Sequence, residues 1–317
     1  MSATITAAPP ASEDAEVDLV NPVDVTDDQI RHYDRHGFLK IEGLLTDPAI
    51  AALREAAENK VSTAETSGGS YGDTFARLTY GLGSVDTFKA IYTHPLFKKL
   101  VGELLRTRLI ATECNGFELT PGRIGFPWHY GSISFKFIRP EDMGWSLWFP
   151  LDDVDPEGQG GGMAYVSQEI ASCDYHYRMS SLLARMREEG VDHSEVSAAL
   201  DKIYGFQGHF IDSVFEKYAV QDSFRAGDCL IFNKNIWHRS SPLREGPLKS
   251  RLAVNMRFID WRSRLDMSRD KAEDETGGGL GQGADYGLQK QTTYASRFVD
   301  IADGDEIRES RYCGEIV

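Results

Sequence analysis

The chain has 317 residues, 41% hydrophobic, 11% aromatic and 26% charged, enough apolar material to bury a sizeable core in one large domain or two small ones. Forty-nine acidic against 34 basic side chains give a net charge of −15, which argues against general nucleic-acid binding, since that depends on basic patches. No apolar run approaches the roughly 20 residues of a membrane helix, and Cys114, Cys173, Cys229 and Cys313 form no CxxC pair, so they read as reduced thiols of a cytoplasmic protein.

Residues 1–25 are small, acidic and Pro-containing, without the basic start and apolar centre of a secretion signal, and read as a disordered leader. In "VTDDQIRHYDRHGFLKI", Thr26 and Asp27 are candidate N-caps of a helix that Gly37 ends, and "FLKI" is a short strand. "LTDPAIAALREAAENKV" predicts a second helix capped by Asp47, with Pro48 in its first turn and Ile50, Leu53 and Ala57 on one face. "HPLFKKLVGELL" predicts a third.

From about residue 108 the texture becomes β-branched and aromatic: "RLIATECNGFEL", "ISFKFIR", "WSLWFPLDDV", "MAYVS", "CLIFNKNIWH" and "RLAVNMRFIDW" read as strands, several set off by turn-rich stretches. Such short strands suggest a double-sheet barrel or jelly roll. Residues 170–222 interrupt the pattern with "YHYRMSSLLARMREEG" and "HSEVSAALDKIYGF", helical and charged. They read as an insertion at one mouth of the barrel, a lid or a homodimer contact, or else as a solvated decoration. Residues 26–265 thus form the main domain, and 266–317 a C-terminal extension: a Gly-rich loop, then a tail. Its "GLGQG" follows no strand and opens no clear helix, so a flexible loop is preferred to a phosphate loop.

Of eight histidines, His32 and His36 stand four apart on a helix, but without a third ligand nearby. His129 and His238 differ: each closes a β-like, aromatic-rich segment, "GFPWHYGS" and "GDCLIFNKNIWHRSS", and barrel strands can bring two such positions together. "HGFLKIEGLL", "WHYGS", "LWFPLDDVDPEGQGGGMAYVSQE" and "FRAGDCLIFNKNIWHRSSPLREGPLKSRLAVNMRF" together resemble the phytanoyl-CoA dioxygenase family of non-haem Fe(II), 2-oxoglutarate-dependent enzymes, over roughly residues 28–260. The resemblance implies a mainly β fold with flanking helices, a double-stranded β-helix (jelly-roll, cupin-like) core, and His129 and His238 as iron ligands. It also implies Arg251, thirteen residues after His238, as the partner of the far carboxylate of 2-oxoglutarate, a match suited to the guanidinium fork. Arg239 and Arg244 compete for that role in the loop near Pro242, and a surface ion pair is the plain alternative for Arg251. Ser146 and Trp148 are candidates to line the same pocket; a core tryptophan is the plain alternative for Trp148.

The usual iron triad adds a carboxylate two places after the first histidine. Here that place is Gly131, and residues 126–140 contain no Asp or Glu. The departure is similar to a halogenase-type subset of the family, in which a halide takes the free position on iron. O2-driven decarboxylation of 2-oxoglutarate would then lead to hydrogen abstraction from an unactivated aliphatic C–H, with chloride rather than hydroxyl joining the carbon. Arg257, six residues beyond Arg251 and so on the same strand face, implies a halide-supporting cation by that resemblance; an interior arginine paired with an acid is the alternative. Competing readings are a hydroxylase working with two histidines and water or recruiting Glu118, an engineered carboxylate-to-Gly relative, and a non-enzymatic binding protein. The last gives no reason for both histidines and Arg251 to stand at productive spacing. The expected partner is a small natural-product-like molecule, free rather than carrier-tethered, since an acidic chain docks poorly on an acidic carrier.

Overall fold

The computed structural model describes residues 18–59, 74–131, 133–192, 194–195, 198, 208–269, 298 and 301–310. Helix α1 (Asp27–His36) starts as its capping sequence dictates: Thr26 Oγ1 accepts from Gln29 N at 3.2 Å and Gln29 Oε1 accepts from Thr26 N at 2.9 Å. Gly37, at φ 81°, ends it in the left-handed region, and β1 (Phe38–Ile41) follows. Helix α2 (Asp47–Asn59) is capped one residue earlier than expected: Thr46 Oγ1 accepts from Ala49 N, while Asp47 already lies in the first turn. Its buried stripe is Ala49, Leu53 and Ala57; Ile50 lies at the edge, half-buried. Helices α3 (Asp86–Thr93), which the pattern did not separate, and α4 (Pro95–Leu105) complete the N-terminal layer.

These helices cover one face of a six-stranded antiparallel sheet in the order β1-β6-β4-β8-β3-β2, with β2 (Arg77–Thr79), β3 (Leu109–Leu119), β4 (Gly144–Pro150), β6 (Cys229–Asn233) and β8 (Arg251–Asp260). Period-two alternation sorts the side chains. Leu147, Phe149, Ile231, Leu252, Val254, Met256 and Phe258 join the helix-covered core. The intervening Arg251, Asn255 and Arg257 of β8 face the other way, in register with Leu119, Asn115 and Glu113 of β3.

Opposite lies a small sheet. Strand β5 (Met163–Tyr165) pairs with β7 (His238–Ser240), and bridges add His129 opposite His238 and Val220 opposite Tyr165. The stretch "CLIFNKNIWH" is therefore two strands. Asn233 breaks it: its Oδ1 accepts from Asn235 N at 2.9 Å and its C=O from Ile236 N at 3.2 Å, and this turn carries the chain from the large sheet to the small one. "ISFKFIR" is not a strand. Phe135 N bonds Gly131 O at 3.0 Å and curls residues Ile133–Phe135 into a 3-10 turn, so its apolar residues fill an irregular buried segment.

The insertion supplies α5 (Asp174–Glu188) and α6 (Gly208–Tyr218); most of "HSEVSAALDKIYGF" and the "GLGQG" stretch lie outside the described residues. Tyr177 and Phe215 of these helices share a core with Tyr130 and Trp237, neighbours of the two histidines. The described part of the insertion therefore packs against the small sheet. Both outer boundaries also shift. Val20 is fully buried and bridges Leu45, and Ile307 is fully buried with its N–H on Ser263 O at 2.8 Å, so parts of the expected leader and tail belong to the packed body. Among the described residues, no helix is long and apolar enough to cross a membrane.

Candidate functional site

His129 and His238 stand directly opposite each other across a two-way backbone bridge, with N···O distances of 2.9 and 2.8 Å and ring centroids 4.1 Å apart. Each ring places Nδ1 against the carbonyl two residues back: Pro127 O at 2.7 Å for His129, Ile236 O at 2.9 Å for His238. A carbonyl only accepts, so Nδ1 carries the proton and each Nε2 keeps its lone pair for the cleft that both rings line. Burial holds both rings neutral: it lowers His129 to about 4 and His238 well below the ordinary imidazole value, with the Arg257 charge adding to both. Neutral imidazole with a locked tautomer is the metal-binding form.

The cleft between the sheets is open to solvent, with about 450 Å³ of non-protein space counting its open side, and is walled by His129, His238, Trp148, Arg239, Ser240, Arg251, Asn255 and Arg257, with Phe75, Phe117, Phe126, Met163 and Phe232 on its apolar sides. Arg251 is 2% exposed, yet among the described residues its Nε has no partner, and its Nη1 makes one long hydrogen bond, to Phe117 O at 3.4 Å. Burial lowers its pKa to about 10, with Asp152 acting the other way. A buried guanidinium without a carboxylate is costly unless a ligand anion completes it. Its carbon lies 5.6 Å from the centre of the Trp148 ring, a second favourable contact for the cation. Arg239 and Arg244 are engaged elsewhere, on Glu216 and on the carbonyls of Pro156 and Gly158.

Three of the expected residues sit differently from their sequence-based reading. Ser146 is buried on the same sheet face, opposite Arg257 and Phe232 in register, but does not wall the cleft. Arg257 walls it while ion-paired: Nη1 lies 2.6 Å from Oε2 of the buried Glu113. Gly131 is not among the wall residues; a Cβ there would point at the Phe135 ring, 2.7 and 3.0 Å away, and at Tyr177 Oη, 3.2 Å away. Glu118 forms an ion pair with Arg77 at 3.2 Å. Among the described residues, no group of three or more His, Cys, Asp or Glu converges on a possible metal site. Glu113 and the aromatic walls went unread in the sequence. No local alternation marks which way Glu113 faces, since β3 is buried at every position but Glu118.

Residues 33–168 match the family model described as phytanoyl-CoA dioxygenase (PhyH), which includes His129 but ends before His238 and Arg251. No curated protein matches the chain. Among solved structures it is similar to the non-heme alpha ketoglutarate dependent carbocyclase SnoK from nogalamycin biosynthesis, at 17% identity over 94% of this chain and 99% of that one, with a TM-score of 0.58. It is also similar to the epimerase SnoN from the same biosynthesis, at 17% identity over 90% and 96%, TM-score 0.56. A third is HygX from Streptomyces hygroscopicus with nickel and 2-oxoglutarate bound, at 17% identity over 75% and 88%, TM-score 0.51. The fold is accordingly the cupin-like jelly roll of iron/2-oxoglutarate oxygenases, mainly antiparallel sheet with flanking helices.

Proposed function

We infer that the chain is an Fe(II)/2-oxoglutarate-dependent oxidoreductase acting on a small molecule, with His129 and His238 as iron ligands and Arg251 as the anchor of the 2-oxoglutarate carboxylate. The observation that carries the reading is the pairing, in one cleft, of two imidazoles whose Nδ1 atoms are taken by backbone carbonyls with a buried guanidinium that, among the described residues, has no ion-pair partner and an unsatisfied Nε. The donor set suits the group: neutral imidazoles take iron, and a forked cation takes a carboxylate. When bound, the iron supplies O2-dependent oxidation of 2-oxoglutarate and cleavage of an aliphatic C–H bond. The protein fixes the two imidazole tautomers, holds the cosubstrate anion, and presents apolar walls to the substrate. Those walls, Phe75, Phe117, Phe126 and Met163, favour a substrate with a hydrocarbon face at the reacting end.

We further propose chloride as the anion that completes the iron site, where no carboxylate converges with the two histidines among the described residues, which makes the reaction a halogenation. Charge balance supports this. The Glu113–Arg257 pair is neutral by itself and both histidines are uncharged, so Arg251 is the one uncompensated charge among these wall groups. Fe(II) and the 2-oxoglutarate dianion cancel, and a monoanion restores neutrality. Hydroxylation remains the alternative outcome of the same C–H cleavage. The similar structures are named a carbocyclase and an epimerase, each alpha ketoglutarate dependent. The test is anaerobic absorption of protein with Fe(II) and 2-oxoglutarate. A charge-transfer band that moves on adding chloride, with a chlorinated mass in substrate screens, supports halogenation. A band that ignores chloride, with only hydroxylated products, sinks the chloride assignment and leaves the iron assignment standing.

A further inference from the structure

We propose that Glu216, on insertion helix α6, is a positioning residue that fixes the histidine pair from behind. This rests on the reading of His129 and His238 as metal ligands. The two histidines line the cleft, while their sequence neighbours Trp128, Tyr130 and Trp237 pack on the insertion side and Arg239, at the cleft rim, reaches back to the insertion helix. Two consecutive residues of α6 gather three of those four. Phe215 packs edge-on against Trp128 and tilted on Trp237, with ring centroids 5.2 Å away in both cases. Glu216 Oε1 accepts from Trp128 Nε1 at 2.9 Å and from Arg239 Nε at 2.8 Å, and its Oε2 accepts from Arg239 Nη2 at 2.8 Å. One carboxylate thus ties the residue before His129 to the residue after His238. The Arg239 guanidinium, whose carbon lies 5.3 Å from the Trp128 ring centre, closes the triangle. The forked geometry admits one mutual orientation of the two segments, unlike a single hydrogen bond. Among the described residues, the ladder that otherwise ties the two segments is short: the two His129–His238 backbone hydrogen bonds, Ser240 N on Phe126 O at 2.9 Å and Phe126 N on Ser240 Oγ at 3.0 Å, and His129 belongs to no longer strand. A pair held by so short a ladder needs external support to keep two Nε2 atoms converging.

Glu216 is half-exposed, so its bonds contribute little to global stability. That separates its positioning role from a merely structural one. The test compares wild type with Glu216→Ala and Glu216→Gln. In metal-free protein, hydrogen exchange of the His129 and His238 amides should accelerate about tenfold in Glu216→Ala while the melting temperature hardly moves. Cobalt(II), titrated as a spectroscopic stand-in for iron, should bind about tenfold more weakly, the low end of what support residues behind metal ligands contribute. Glu216→Gln keeps the Trp128 acceptor and loses the forked ion pair, so it should fall between. Unchanged exchange at the two amides overturns the proposal, as does unchanged cobalt affinity in Glu216→Ala. Failure of the wild type itself to bind cobalt refutes the metal reading instead, and the exchange measurement still decides whether Glu216 holds the pair.

Discussion

Gly131→Ala and Gly131→Asp probe the most consequential departure from the iron-triad pattern. A Cβ at 131 would stand 2.7 and 3.0 Å from two carbons of the Phe135 ring, well inside van der Waals contact. The ring cannot simply move aside. It is 1% exposed, and on its other side a Cβ at Gly144 would meet it at 2.5 Å, so Phe135 is a wedge between two glycines. Overpacking a buried site of this kind costs about 1–3 kcal/mol. At roughly 2 °C per kcal/mol for a chain of this size, the melting temperature should fall by about 2–6 °C. Gly131→Asp should fall further, because its carboxyl would crowd the Phe135 ring and the Tyr177 hydroxyl, whose proton is already given to Lys234 O at 3.1 Å. Urea unfolding of Gly131→Ala, Phe135→Leu and the double variant measures the coupling directly: Phe135→Leu should recover part of the loss caused by Gly131→Ala. The same geometry means that an aspartate at 131 does not reach the histidine pair unless the 131–135 turn rearranges, so Gly131→Asp should not gain hydroxylase activity. A Gly131→Asp protein of wild-type stability that hydroxylates its substrate would refute this reasoning.

Arg251→Met keeps volume and apolar contact with Trp148 but removes the buried cation with its unsatisfied Nε; 2-oxoglutarate binding, followed by calorimetry, should weaken at least a hundredfold while the fold loses nothing. Unaltered affinity would reassign the carboxylate to another residue, Arg257 first. The buried Lys234 ammonium gives a pH signature. Burial, with Arg269 beside it, lowers it to about 7, against the opposing charges of Asp142, Asp174 and Glu141, while its Nζ sits on Pro140 O at 2.6 Å and over the Tyr177 ring. Between about pH 7 and the unfolded value near 10.4, the unfolded chain binds a proton that the folded one lacks, so this group makes stability rise with pH across that window and has no effect on the slope below it. Lys234→Met should flatten the rise in stability between pH 7 and 9 in urea unfolding; parallel curves for the two proteins would contradict the shift.

Much of the frame was written locally. The capping box at Thr26 and Gln29, the left-handed turn at Gly37 and the alternation of "RLAVNMRF" depend on neighbours within a few residues, and each element stands where those residues put it. The trio proposed to carry the chemistry, His129, His238 and Arg251, was singled out by ordered motifs, and all three line one cleft. What the sequence could not hold was direction. Whether the missing Cβ of Gly131 faces the cleft or Phe135 depends on a turn closed by the Phe135 N–H. Whether Arg257 presents a free charge depends on Glu113, 144 residues earlier but opposite it in register. Whether the insertion covers the site or braces it depends on which faces of α5 and α6 meet Tyr130 and Trp237. Residue type and spacing are properties of the chain and determine what each segment can form. The orientation of a side chain and the identity of its partner are set by packing between segments far apart in sequence, and here they decided which charges remain to meet a ligand.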